Sequence, residues 1–299
     1  MSTRTKTVWF AAIAAPVLFV VVALLQARID TDTSTQGLQD SELMLRSGSA
    51  LKRMSLGYDS LLADIYWTRA VQYYGTNAEI HGSKFSQLWP LLDITTTLDP
   101  HLIPAYRFGG VFLAEPPPVG AGDPHRAVEL TERGIAENPD DWQMGATLGF
   151  LYYWYLKDYP KSSEAYLQAS KNPNAVGWLG MMAARVALKA QSPDTSKMIW
   201  SEIYQSTPNP EIRKSALQHL EALQAMQDIQ VLNELSEKYR ATYGHYPLSI
   251  EDLTKVGFIR GVPTDPSGEL YVIGIDGKAN VGPRSTIVPE VPPPTPPQH

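Results

Sequence analysis

Residues 142–173 read WQMGATLGFLYYWYLKDYPKSSEAYLQASKNP. Two helix-sized apolar blocks are parted by Lys157, Asp158, Tyr159 and Pro160 and closed by Asn172 and Pro173. A proline with a short polar residue before it ends one helix and opens the next, so the stretch predicts a helical hairpin. Neither helix can bury its apolar face alone, which requires neighbours of the same kind.

The neighbours are visible in the spacing. Pro100, Pro139, Pro173 and Pro208 follow Asp99, Asn138, Asn172 and Thr207 at intervals of 39, 34 and 35 residues, each closing one amphipathic helix before another. A fixed period in this range marks a stacked helical array. Counted from each proline, Leu148, Gly149 and Tyr152 fall in a first helix and Tyr166 and Ala169 in a second. Gly110, Leu113, Ala127 and Gly134 hold corresponding places one repeat earlier, and Ala184, Trp200 and Ile203 one repeat later. In these residues the chain resembles the tetratricopeptide repeat over positions 100–208. It departs from that family at Ser162 and Ser196, where Ala is usual, at Ala184, where Gly is usual, and in the insertion at 115–122.

The 299 residues are 43% hydrophobic and 19% charged, ordinary proportions for a foldable chain. A net charge of −6 without clustered Lys and Arg argues against nucleic acid as a partner. The absence of cysteine excludes disulfides, thiolate metal sites and a cysteine nucleophile.

Residues 7–27 carry no charge, and at 1.5 Å per residue they reach about 31 Å, enough to cross a bilayer core. The run is a membrane anchor or a long signal peptide. Leu24 and Leu25 stand near its end, where cleavage wants small residues, so an uncleaved anchor is favoured. Arg4 and Lys6 before it outweigh Arg28 after it. This places residues 1–6 in the cytoplasm and the bulk of the chain beyond the membrane, in the periplasm of a bacterial cell. Residues 28–48 form a polar linker.

A helix is expected from 50 to 74, weakened at Gly57 and stopped at Gly75, with a second from 84 to 98. The pair makes a degenerate first repeat, so that the helical repeat domain spans 49–226. After Pro210 apolar residues recur every three or four positions through Tyr239, predicting one long helix or two in tandem. The segment 227–283 then holds Tyr243, Gly244, His245, Tyr246 and Pro247, a short helix over 249–255, a turn at Asp265-Pro266-Ser267-Gly268 and a strand over 270–275. Asp276-Gly277 predicts a two-residue hairpin turn. In this order the segment is similar to the soluble tail of major pseudopilins and type IV pilin-like proteins. The chain lacks the glycine before the apolar run, and the glutamate within it, that a polymerising pilin needs. The proline-rich stretch 284–299 predicts an extended tail, either solvated or offered as a polyproline ligand. The fold expected is therefore mainly α: a transmembrane helix, an α-solenoid of tetratricopeptide-like hairpins, and a small C-terminal α+β segment with a β-hairpin.

No catalytic pattern stands out. The six histidines are scattered singly, without the spacing of metal ligands, and no phosphate-binding or dinucleotide-binding loop is present. No metal, cofactor or small-molecule substrate is expected, and no enzymatic activity; an active site assembled from residues distant in sequence is the remote alternative.

The expectation is binding. Family resemblance puts the first helix of each pair on the concave side and carries Arg107, Phe150, Tyr153, Trp154, Trp178, Arg185 and Lys189 onto that face, with Val111, Gln143, Ala146 and Met181 beside them. Arg supplies planar bidentate donors and aromatic rings supply contact area at low entropic cost, which suits an extended acidic peptide of a protein partner. The opposing reading makes the aromatics at 150–155 part of the core. The function expected is a membrane-anchored scaffold or adaptor in a cell-envelope assembly, pilus or secretion machinery by resemblance. The alternative is an accessory subunit docking through its pilin-like tail.

Overall fold

A computed structural model describes residues 47–79 and 85–290. The expected cytoplasmic segment at 1–6, the anchor at 7–27, nearly all of the linker at 28–48 and the last part of the proline-rich tail lie outside them. Among the described residues no helix is long and apolar enough to cross a membrane.

The chain is mainly helical. After the short α1 (Gly48–Met54), helices pack as antiparallel neighbours in chain order: α2 (Asp59–Glu79) with α3 (Leu88–Leu98), α4 (Ile103–Ala114) with α5 (Pro124–Glu137), α6 (Trp142–Leu151) with α7 (Tyr159–Ser170), and α8 (Trp178–Lys189) with α9 (Pro193–Ser206). The long α10 (Pro210–Tyr243) closes the stack against α9. Each second helix also contacts the next first helix, giving a solenoid-like arrangement.

Local chemistry sets the helix starts. Asp123, Asp141, Asp158 and Asn209 accept hydrogen bonds from the amides of Arg126, Gln143, Lys161 and Glu211, satisfying donors that a helix start leaves free. Pro124, Pro193 and Pro210 open their helices at the position where a missing N–H costs nothing.

The periodic asparagines have a second role. Asn138 Nδ2 donates to the Pro100 carbonyl at 2.9 Å, and Asn172 Nδ2 to the Asp140 carbonyl at 2.9 Å, so each loop is tied to the one before it.

The glycines mark close approach. A Cβ on Gly149 would lie 2.8 Å from the Tyr166 ring, and one on Gly134 would lie 2.7 Å from Tyr106. Ser162 is fully buried and donates to the Gly149 carbonyl at 2.7 Å, so its hydroxyl is satisfied within the hairpin.

Three apolar clusters follow one another along the chain. The first joins Leu88, Leu92, Tyr106, Leu130, Met144 and Leu151; the second joins Leu179, Ala183, Val186, Trp200 and Leu223; the third joins Leu232, Ile250, Leu253 and Tyr271. The 59–98 hairpin belongs to the first, with Tyr74 stacked on Phe112 at 3.8 Å.

Several boundaries differ from expectation. Gly57 adopts φ 91° and parts α1 from α2 outright, whereas Gly75 lies inside α2. At Gly75 packing of Tyr73 and Tyr74 on the core outweighs the weak helix propensity of glycine. Helix α3 begins at Leu88.

The C-terminal unit uses the second half of α10 as its floor. Gly244, at φ 81°, ends this single helix, and α11 (Ile250–Lys255) follows. Strands β1 (Val272–Ile273) and β2 (Ala279–Asn280) pair antiparallel. Gly274 N–H donates to the Lys278 carbonyl at 2.8 Å, so the turn holds Ile275, Asp276 and Gly277 rather than two residues, with Gly277 at φ 79°. Ser236 Oγ donates to the Gly277 carbonyl at 2.6 Å, and the Ala279 amide to Asn233 Oδ1 at 2.7 Å, fixing the hairpin on α10.

Residues 285–290 then run back along α10. Ile287 is buried with Ala222 and Ala225. The tail expected to be solvated from 284 is docked over its described part.

Candidate partner-binding face

The aromatic run after α6 decides what the array presents. Tyr152–Leu156 forms a π-helical turn, and Lys157 ends it at φ 54° in the left-handed region. A π turn adds a residue to the repeat and shifts every following side chain around the axis. The consequence is a split. Tyr152 is buried and donates to Glu132 Oε1 at 3.2 Å; burial and that carboxylate push its pKa up to about 12. Tyr155 packs on the first core, and Tyr153 on the second. Trp154 points outward, 56% exposed, with Phe150 stacked on it at 6.5 Å and Lys157 Nζ 4.9 Å above its ring. Surface and core therefore divide the aromatic run between them.

Three side-chain bridges join successive first helices on one face. Arg107 Nη1 on α4 donates to Gln143 Oε1 on α6. Lys189 Nζ at the end of α8 donates to the Tyr153 hydroxyl at 2.9 Å and sits 4.5 Å and 4.7 Å from the Tyr153 and Tyr159 ring centres. The Tyr153 hydrogen bond raises the Lys189 pKa, holding the ammonium charged. Arg185 Nη2 on α8 lies 3.5 Å from His219 Nε2 on α10. The residues of these bridges are 36, 36 and 34 positions apart, one repeat each.

The seven residues expected on the face divide as follows. Arg107, Tyr153, Arg185 and Lys189 make the bridges. Phe150, Trp154 and Trp178 are exposed, Trp178 by 46%. Arg107 Nε is buried without a hydrogen-bond partner among the described residues. His219 was missed by sequence reasoning. It stacks on Trp200 at 4.1 Å and places Nδ1 2.6 Å from Glu290 Oε1. Its place one repeat after Arg185 was readable from the spacing, but the contact with Glu290, 71 residues away, was not.

Among the described residues no group of three or more His, Asp or Glu is placed to hold a metal ion. The face carries fixed cations, amide and hydroxyl groups, and exposed aromatic rings. No known family matches the chain, and no curated protein matches it either.

Proposed function

We propose that this protein is a membrane-anchored scaffold on the extracytoplasmic side of a cell envelope, a tetratricopeptide-like array that binds an extended segment of a protein partner along the face of its first helices. The single observation that carries this reading is the ladder Arg107–Gln143, Tyr153–Lys189 and Arg185–His219, which brings residues one repeat apart onto one surface beside exposed Trp154 and Trp178. Cations held in place and rings already ordered lower the entropic cost of binding, and an acidic peptide complements them. The uncharged run at 7–27 supports the anchor, and the bias of Arg4 and Lys6 over Arg28 supports the orientation. Pilus or secretion machinery is the assembly suggested by the resemblance of the C-terminal unit to pseudopilin tails.

The test is capture of partners from native membranes with the full-length chain and with Arg107→Glu, Arg185→Glu and Lys189→Glu combined. Loss of bound proteins, with the helical circular-dichroism signal retained, is the expected outcome. An unchanged set of bound proteins would sink the reading.

A second reading has its own observation. The C-terminal unit exposes Leu248, Val272 and Ile275, apolar side chains that a docking subunit would bury in a larger complex. Leu248→Lys with Ile275→Lys separates the two: partner loss on this variant alone favours an accessory subunit attached through its tail.

A further inference from the structure

The second helices frame a cleft that the bridged ladder does not use. It lies between α5 and α7 over α6 and encloses about 560 Å³, a size that admits several side chains. None of its lining residues belongs to the ladder. Small residues create it. Gly145 approaches α7 so closely that a Cβ there would lie 2.8 Å from the Ala169 Cβ, and Ala165 and Ala169 carry no bulk to fill the space between α5 and α7. Ile135, Trp142 and Leu148 are only half-buried, so the lining keeps apolar surface in contact with water, and covering such surface is favourable.

The rim is acidic. Glu132 on α5, Asp141 at the start of α6 and Glu164 on α7 border the cleft, and among the described residues none of the three forms an ion pair. Glu132 is already held in place, because the Tyr152 hydroxyl donates to its Oε1 at 3.2 Å. Lys161, the cation of this lining, is engaged elsewhere: Nζ lies 3.6 Å from Asp158 Oδ2 and 5.4 Å from the Tyr152 ring centre. The edges therefore keep negative charge that the lining does not neutralise. Along α7 the lining runs from Lys161 to Ala169, roughly 12 Å, which is room for about four extended residues.

We propose that this cleft is a second docking site, taking a short segment of a protein partner in which a large apolar side chain is flanked by Arg or Lys. The apolar side chain covers Trp142 and Leu148, and the flanking cations pair with Glu132 and Glu164. The preset Glu132 carboxylate lowers the entropic cost of that pairing. The site is independent of the first-helix face, and its opposite charge preference lets one array hold an acidic and a basic segment together.

The experiment is selection of random peptides displayed on phage against the full-length chain in detergent micelles. The expected survivors include a population with Arg or Lys beside Leu, Phe or Trp. Synthetic peptides of that population bind several-fold more weakly to Glu132→Gln combined with Glu164→Gln, and to Gln168→Arg, while the circular-dichroism spectrum is unchanged. Glu132→Gln keeps an acceptor for Tyr152, and Glu164 and Gln168 are exposed, so these variants retain the fold. Added salt weakens the binding as well, as screening of exposed charges requires. Absence of a basic and apolar population, or binding that these substitutions leave unchanged, overturns the proposal. Self-association of the chain that the same substitutions abolish overturns it too and assigns the cleft to a second copy. Arg107→Glu, Arg185→Glu and Lys189→Glu combined leaves this population bound, so failure here and failure of the first-helix face are read separately.

Discussion

Two glycines of similar appearance in the sequence have opposite requirements. Gly149 has a Tyr166 ring where a Cβ would go, at 2.8 Å. Gly149→Ala is expected to destabilise by about 1–3 kcal/mol, the usual cost of overpacking. Gly75 lies in the interior of α2 with nothing within 4 Å of its Cβ position. Gly75→Ala is expected to stabilise by about 0.5–1 kcal/mol through helix propensity. Thermal unfolding of the two variants checks both signs. Asp265 carries a different prediction. Its Oδ1 accepts from the Ser267 amide at 2.8 Å, the Ser267 hydroxyl at 2.7 Å and the Glu269 amide at 3.0 Å, and its Oδ2 accepts from Ser285. Burial works to raise its pKa, but these hydrogen bonds outweigh it and hold the carboxyl below the usual range. A lowered folded-state pKa stabilises fully above the unfolded value of about 3.9, and this contribution is lost as pH falls through the folded value. Hydrogen-exchange protection across 264–285, taken relative to the intrinsic rate at each pH, is expected to fall below about pH 4, and Asp265→Asn to flatten that acid dependence. Asp265 was legible as a turn residue. Its bond from Ser285 was not, because that residue lies 20 positions away.

Helices and loops show where periodicity is enough and where it is not. The hairpin at 142–173 was readable because the Lys157–Pro160 break and Asp158 cap are local events, acting within one turn of chain. The π turn at Tyr152–Leu156 was not. A run of five large residues carries no signal for an extra residue per turn; the shift is settled by which rings fit the two neighbouring cores. Phe150, Tyr153 and Trp154 were thus legible as a group and separable only after packing. The asparagines at the repeat boundaries were read as helix breakers, and the structure adds their tie to the preceding loop. Asn172→Ala removes its bonds to the Asp140 carbonyl and the Asn174 amide, both at exposed sites, and is expected to cost about 0.5–1.5 kcal/mol. Asn138→Ala removes contacts with Pro100, Gly134 and His101, the first two part-buried, and is expected to cost more. Denaturant unfolding of the two variants gives the order.

The chain builds its core in succession, with α10 shared by the end of the array and the C-terminal unit. Such an arrangement opens in parts. Leu253 is fully buried in the third cluster, and Leu253→Ala is expected to cost about 2–5 kcal/mol there. Hydrogen exchange should quicken over 250–281 and stay unchanged in α3 to α5. Equal acceleration in both regions would show a single cooperative unit instead. The sequence was sufficient for the spacing of the helix breaks, the helical hairpins and the C-terminal order of helix, turn and strand, because each depends on residues within a few positions of one another or on a fixed spacing of about 34. What the tertiary structure alone decided is which side chains meet across repeats: Arg185 with His219, Lys189 with Tyr153, Glu290 with His219, and Trp154 left outside while Tyr155 is drawn in. Those outcomes depend on competition for space between helices distant in sequence, and no local pattern records the winner.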